Sequence, residues 1–200
     1  MERGYWIKSK PIYSSLAWHE KATSHLVLAQ GSGGMAVLKL FQQMHPPQPV
    51  SVIYSRASAV GADYTNPLQK TIADGLWLCE NEQQALAALE TALPAARMGM
   101  RLYVAGSEHF IWAVAGSVKH YGVEDADIMK ELTDTLARSV YCVHCKAITH
   151  NIRTNIGQCS GCARMLFVRD HFSRRFGAYM GFMVDAESPG ELPQIEEIYP

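Results

Sequence analysis

A chain of 200 residues that is 48% hydrophobic and 18% charged, with a formal net charge of −1, has enough apolar material for a sizeable core and room for about one and a half domains. It is not basic overall, which disfavours nucleic acid as a partner, and no apolar run approaches the roughly 20 residues of a bilayer span. The amino terminus, with Glu2, Lys8 and Lys10 around short apolar stretches, lacks a signal-peptide layout, so a cytoplasmic protein is expected.

Taken in chain order, residues His25 to Ala29 read as a buried strand, followed by the turn Gly31-Ser32-Gly33-Gly34 and an apolar pattern of helical period from Met35 to Met44. Pro46, Pro47 and Pro49 bar its continuation, and Val50 to Tyr54 supplies a second strand. Leu76 to Cys79 reads as another strand, and Asn81 as the cap of an alanine-rich helix from Glu82 to about Leu93, ended by Pro94. Arg101 to Ala105 is a further strand, and Gly106-Ser107-Glu108-His109 turns into a helix from about Phe110 to His120, closed by Gly122. Strands and helices alternating over short links predict an α/β unit with a mostly parallel sheet covered on both faces.

The chain divides near Arg138. Residues 1–138 form the α/β module, 139–186 a small cysteine-bearing domain, and 187–200 an acidic, proline-bearing surface tail without a periodic apolar face. Within the second segment Cys142–Cys145 and Cys159–Cys162 are two Cys-x-x-Cys pairs separated by thirteen residues. Closely spaced cysteines in a reducing compartment bind metal or do redox chemistry more often than they form disulfides. Two knuckles at this spacing close a tetrahedral four-thiolate site, and Gly161 suits the left-handed backbone of such a turn. Zinc is favoured over iron because both knuckles lack the Cys-Pro-x-Cys-Gly pattern of rubredoxin. His144 and His150 read as surface or supporting residues, His171 as a partner contact, a haem-proximal residue in an assembly or simply an exposed imidazole, and Cys79 as a buried thiol.

The glycine turn has two readings. Backbone amides at a helix amino terminus receive phosphate groups, yet glycines at strand-to-helix turns also serve tight packing, and this turn is not G-x-G-x-x-G. Arg56, after the second strand, is either a phosphate-pairing guanidinium or a solvated strand-end residue. Between Arg138 and Arg175 seven lysines and arginines face one acid, Asp170, with Phe167, Phe172 and Phe176 interleaved. That basic, aromatic patch fits a protein partner of complementary charge or a nucleic acid.

The segments LVLAQGSGGMAVLKLFQQM, VSVIYSRAS and RLYVAGSEHFIWAVAGSVKHYGVEDADI resemble, in succession, landmarks of the nicotinamide-binding module of ferredoxin reductases over about residues 22 to 130. The resemblance implies NAD(P)H contacts from Gly31, Ser32, Gly33, Gly34, Arg56 and Gly106. Where that family carries Cys-Gly-Pro, this chain has Ala105-Gly106-Ser107, so the cysteine that helps place the nicotinamide is missing. Only about twenty residues precede the module, too few for a flavin barrel, so an electron acceptor would come from another chain.

The stretch from Tyr141 to Glu187, with both knuckles and the segment HFSRRFGAYMGF, resembles the carboxy-terminal domain of the small accessory subunit of bacterial haem-dependent dimethylamine monooxygenases. Membership of that family implies a hetero-oligomer that demethylates dimethylamine to methylamine and formaldehyde with NADPH and oxygen. Haem is then expected on an oxygenase subunit, flavin on a reductase subunit, and zinc in this chain, which would not be catalytic alone. Arg169, Arg174, Arg175, Phe172 and Tyr179 are the residues expected on the docking surface. Two other readings remain: an NAD(P)H-binding electron-transfer component that works with a flavin in trans, and a zinc-ribbon nucleic-acid binder.

Overall fold

The computed structural model describes residues 9–43, 45–56 and 62–200, so Glu2, Lys8, Met44, Ala57 and Ser58 of the sequence reading lie outside the described residues. The chain forms two compact units: Tyr13–Asp134, and Thr135–Pro200 together with residues 9–12.

In the first unit the order is β1 (Ser24–Gln30), α1 (Gly33–Phe41), β2 (Val50–Ser55), α2 (Thr65–Thr71), β3 (Leu76–Cys79), α3 (Glu82–Ala92), β4 (Met100–Gly106), α4 (Glu108–Val118) and β5 (Ile128–Leu132). The five strands form one sheet in the order β3-β2-β1-β4-β5, every neighbour parallel. The central strand, β1, is buried from His25 to Gln30, as a strand covered on both faces must be. On one face Val27, Ala29, Val52, Tyr54, Tyr103 and Ala105 pack with Ala36, Val37 and Leu40 of α1 and with Leu68 of α2. The alternate positions Leu28, Ile53, Leu102 and Val104 are equally buried, on the face where α3 and α4 lie. Each such aliphatic side chain contributes about 1.5–3 kcal/mol when fully withdrawn from water.

Local chemistry explains most boundaries. Asn81 has extended backbone and its side chain accepts the Gln84 amide at 2.9 Å, which starts α3. Ser107 starts α4 in the same way, its hydroxyl accepting the Phe110 amide at 3.3 Å. Helix α4 passes into a single 3-10 turn that ends at Gly122, where φ is +74°. Helix α1 stops at Phe41, before the prolines.

Two elements go beyond the sequence reading. Helix α2 starts where the Asp63 carboxylate accepts both the amide and the hydroxyl of Thr65, at 2.8 and 2.6 Å, and Pro67 sits in its first turn. Strand β5 is short and carries Lys130 and Glu131; Lys130 is nevertheless buried, paired with Asp125 at 2.7 Å.

The second unit is a sheet of β6 (Arg138–Cys142), β7 (Ile148–Ile152), β8 (Ile156–Gln158), β9 (Met165–Ser173) and β10 (Ala178–Met183), in the order β7-β6-β10-β9-β8. Only β6 and β10 run parallel; the other pairs are antiparallel. The tail is exposed from residue 187 to residue 198, while Tyr199 is buried and the Leu136 amide donates to the Pro200 carbonyl at 2.7 Å. Among the described residues no helix is long and apolar enough to cross a membrane.

Candidate functional site

In the ribbon unit the order of strands places the two knuckles at opposite edges of the sheet: Cys142 ends β6 beside edge strand β7, and Cys159 follows edge strand β8. The sheet curls so that the edges meet. Thr149 of β7 accepts the Ser160 amide at 2.9 Å and donates its hydroxyl to Ser160 Oγ at 3.1 Å. All four cysteine sulfurs then lie within 4.8 Å of one another, the only such cluster of ligand-type groups among the described residues. The Cys142–Cys162 and Cys145–Cys159 sulfurs are 3.8 and 3.5 Å apart. A tetrahedron with metal–sulfur bonds of about 2.3 Å has edges of about 3.8 Å, so the four side chains fit a tetrahedral ion.

The knuckles share one backbone. The Lys146 amide donates to Cys142 O and the Ala163 amide to Cys159 O, both at 2.9 Å, and the chain then turns back so that Cys142 N reaches Ala147 O and Cys159 N reaches Arg164 O, again at 2.9 Å. The left-handed residues are Lys146 and Ala163, at φ +68° and +58°, not Gly161. Gly161 is required for room instead: a Cβ there would lie 2.7 Å from the Ala147 methyl and 3.1 Å from Cys145 Sγ. Its amide also points at Cys159 Sγ, 3.4 Å away, the kind of bond that steadies a thiolate.

Electrostatics sort the thiols. The Arg164 backbone amide, helped by its guanidinium, draws Cys162 down to about 5. The Ala147 amide favours the Cys145 thiolate, yet burial and hydrogen bonds with the other three cysteines push that thiol up to about 12. Four like charges this close oppose one another, and a divalent cation removes the conflict. His144 is exposed and accepts a hydrogen bond from Arg164 at 2.8 Å, and His150 bonds Ser139 Oγ at 2.9 Å.

At the other end of β6, Arg138 is buried between the rings of Tyr179 and Tyr199, 3.9 and 3.8 Å from their centroids, and pairs with Asp170 at 2.8 Å. Lys10 meets the other Asp170 oxygen at 2.8 Å. Phe172 and Tyr179 are buried and pack edge to face, so they belong to the ribbon core and not to its surface, whereas Arg169, Arg174 and Arg175 are exposed. Burial of Phe172 follows from its position on the inward side of β9, which alternation within an antiparallel strand would have signalled. His171 is exposed and Cys79 is buried, burial pushing its thiol up.

In the α/β unit the strand order reverses between β1 and β4, and their carboxyl ends bring the glycine turn beside Gly106. Gly31 lies at φ +53° and its carbonyl accepts the Tyr54 hydroxyl at 3.0 Å. A Cβ on Gly33 would lie 2.3 Å from Ala105 O, one on Gly34 would lie 2.5 Å from Tyr64 Cβ, and one on Gly106 would meet the Phe110 ring at 2.9 Å. The amides of Gly31, Gly34 and Met35 donate to Ser55, Gly31 and Ser32 carbonyls. Ser32 is half-buried at the head of α1 and makes no side-chain cap. Arg56 is exposed, its Nη1 3.2 Å from Glu80 and its Nε donating to Thr65 Oγ1. A polar cluster fills the same end of the sheet: Ser107 donates to Gln30, Gln30 to Glu82 at 3.2 Å, and His109 pairs with Glu82 at 3.1 Å. The sequence pointed to Glu82, Ser107 and His109 only as helix-start residues; the long-range meeting of β1, α3 and α4 assembles them into a cluster.

Two family models match the chain in order, the amino-terminal domain of the dimethylamine monooxygenase subunit DmmA-like family over residues 5–128 and its carboxy-terminal domain over residues 139–182. The haem-dependent oxidative N-demethylase delta subunit of Ectopseudomonas mendocina (strain ymp) is 37% identical over 101 residues, which span 50% of this chain and 58% of that protein. Similar solved structures include a flavohaem-like FAD/NAD-binding domain of nitric oxide dioxygenase from Vibrio cholerae, 18% identical, covering 58% of this chain and 53% of that one at a TM-score of 0.42. A ferredoxin–NADP+ reductase from Plasmodium falciparum is 14% identical, covering 56% and 52% at 0.40. The parallel α/β assignment stands on the strand pairing alone; by its two matched domains, the chain belongs to the dimethylamine monooxygenase subunit DmmA-like family.

Proposed function

We propose that this chain is an accessory subunit of a multi-subunit, haem-dependent dimethylamine monooxygenase, supporting assembly and electron transfer and not catalytic alone. The observation that carries the reading is the match of both family domains in order along the chain. The named N-demethylase delta subunit supports it. In this reading the assembly converts dimethylamine to methylamine and formaldehyde with NADPH and oxygen in the cytoplasm, with haem on an oxygenase subunit and flavin on a reductase subunit.

Cys142, Cys145, Cys159 and Cys162 hold zinc, whose chemistry is structural: it gathers four thiolates and fixes both knuckles. The ribbon thereby presents Arg174 and Arg175, on the turn between β9 and β10, to a partner subunit. The α/β unit acts as a docking module whose crevice is a packing joint, a reading supported by the contacts of Gly33 and Gly34 and by the Gln30–Glu82–His109–Ser107 cluster.

Co-expression with the oxygenase and reductase subunits tests the reading. The chain should co-purify with them and carry zinc in equimolar amount, and Arg174→Glu with Arg175→Glu should weaken retention about tenfold or more. Failure of the unaltered chain to co-purify would overturn the subunit role. Unchanged retention of the double variant would overturn the docking role of those two arginines.

A further inference from the structure

The outer side of the ribbon sheet carries a patch that the reading above does not use. Along β9, Leu166, Val168 and Phe172 are buried while Phe167, Arg169 and His171 face outward. Phe182 of β10 lies directly across from Phe167, and the two rings are 45% and 41% exposed. The Arg169 guanidinium sits 5.9 Å from the Phe182 ring. Asp170, the one acid on β9, is engaged by Arg138 and Lys10, so it does not neutralise Arg169.

The same unit exposes a segment of opposite chemistry. Its tail carries Glu191 and Glu196 beside Leu192 and Ile195, which are 48% and 50% exposed. The tail is not a loose end. Asn155 holds it by three bonds: its amide donates to Glu196 O at 3.0 Å, its side-chain nitrogen to Gln194 O at 3.0 Å, and its side-chain oxygen accepts the Glu196 amide at 2.9 Å. The Asn155 carbonyl accepts the Val168 amide at 2.9 Å. One residue therefore ties the acidic segment to the backbone of β9 at Val168, between Phe167 and Arg169 in sequence. Among the described residues neither Arg169 nor Glu191 nor Glu196 forms an ion pair.

We infer that this surface joins two copies of the chain about a two-fold axis, the Phe167–Arg169–Phe182 face of each receiving the Glu191–Glu196 segment of the other. A basic, aromatic face and an acidic, apolar segment carried by the same unit can be exchanged between two copies about a two-fold axis, so every favourable contact is made twice and the assembly closes. Complementarity also counts against a polynucleotide, since phosphates that met Arg169 would be repelled by Glu191 and Glu196 of the same unit.

The test is light scattering on the eluting full-length chain over a concentration series. The unaltered chain should run at twice 22.2 kDa. Arg169→Glu alone, and Glu191→Arg with Glu196→Arg, should each raise the dimer dissociation constant about tenfold or more, and combining the three changes should restore it. Metal content and far-ultraviolet circular dichroism equal to those of the parent show that each variant folds. A parent that stays monomeric throughout, a dimer indifferent to either reversal, or reversals that do not rescue one another would each overturn the proposal. So would a monomeric chain whose Phe182→Ser variant loses another subunit of the complex, since that result gives the face to a different partner. Co-purification with an oxygenase is a separate measurement, so this inference and the subunit role fail independently.

Discussion

In the α/β unit, five parallel strands bury Leu28, Ile53, Leu102 and Val104 on one side and Val27, Val52 and Tyr103 on the other, and the helices complete both layers. The ribbon unit has one curled sheet whose buried apolar set is shorter: Val140, Ile156, Leu166, Val168, Phe172, Ala178 and Tyr179 among its strands, beside Cys142. The first can rely on burial. The second is too small for that alone, and its remaining order comes from four thiols, an arginine held between two tyrosines and a tail tied by its backbone.

The largest test of that contrast removes one sulfur. Cys142→Ser leaves three thiolates for a four-coordinate ion, and since metal-binding free energy in such domains is folding free energy, the ribbon should lose its metal and its protection against amide exchange. The α/β amides, from β1 to β5, should remain protected. Full metal retention would show that Cys142 is not a ligand; simultaneous loss of protection in both units would show that the burial of the first does not suffice for it.

How much of this was legible in the sequence differs between the units in the same way. The strands β1, β2, β3 and β4 are short, mostly apolar runs, and the Asn81 cap is a local signal, so these appear in the one-dimensional pattern. Helix α2 was hidden because Pro67 reads as a breaker unless it is placed in a first turn, and β5 because Lys130 and Glu131 interrupt its apolar run. For the ribbon, the spacing of the cysteines announced the cluster. The Arg138–Tyr199 contact was invisible, because it joins residues 61 positions apart. Gly161 shows a subtler limit: a glycine in a knuckle suggests backbone freedom, whereas here the left-handed positions belong to Lys146 and Ala163 and the glycine makes space beside sulfur.

A smaller effect separates packing from ligand chemistry at the glycine turn. Gly33→Ala would place a methyl group 2.3 Å from the Ala105 carbonyl oxygen, a backbone atom that cannot rotate away. The α/β unit should lose about 1–3 kcal/mol, as for other overpacked cores, measured by urea denaturation, while metal content of the ribbon stays at the parent level. An alanine variant of unchanged stability would mean that α1 and β4 are less tightly joined than these contacts require.

The smallest effect concerns one ion pair inside the α/β unit. The hydrogen bond from His109 to Glu82 raises the imidazole above its ordinary value of 6.5, against the opposing influence of burial. A raised folded-state value means that the pair stabilises fully below the unfolded value and that this contribution is lost as pH rises through the folded one. The histidine side chain is 43% exposed, so water screens the pair and the contribution should stay below about 1 kcal/mol. Glu82→Gln should therefore move the His109 titration midpoint, followed by its ring proton resonance, down toward 6.5 or lower and flatten the dependence of stability on pH just above that value. A midpoint that does not move would place the proton's stabilisation elsewhere and detach His109 from the Gln30–Glu82–Ser107 cluster. A stability change well above this range would instead mean that the cluster is as essential to the α/β unit as the thiolates are to the ribbon, and the contrast between the two units would narrow to one of degree.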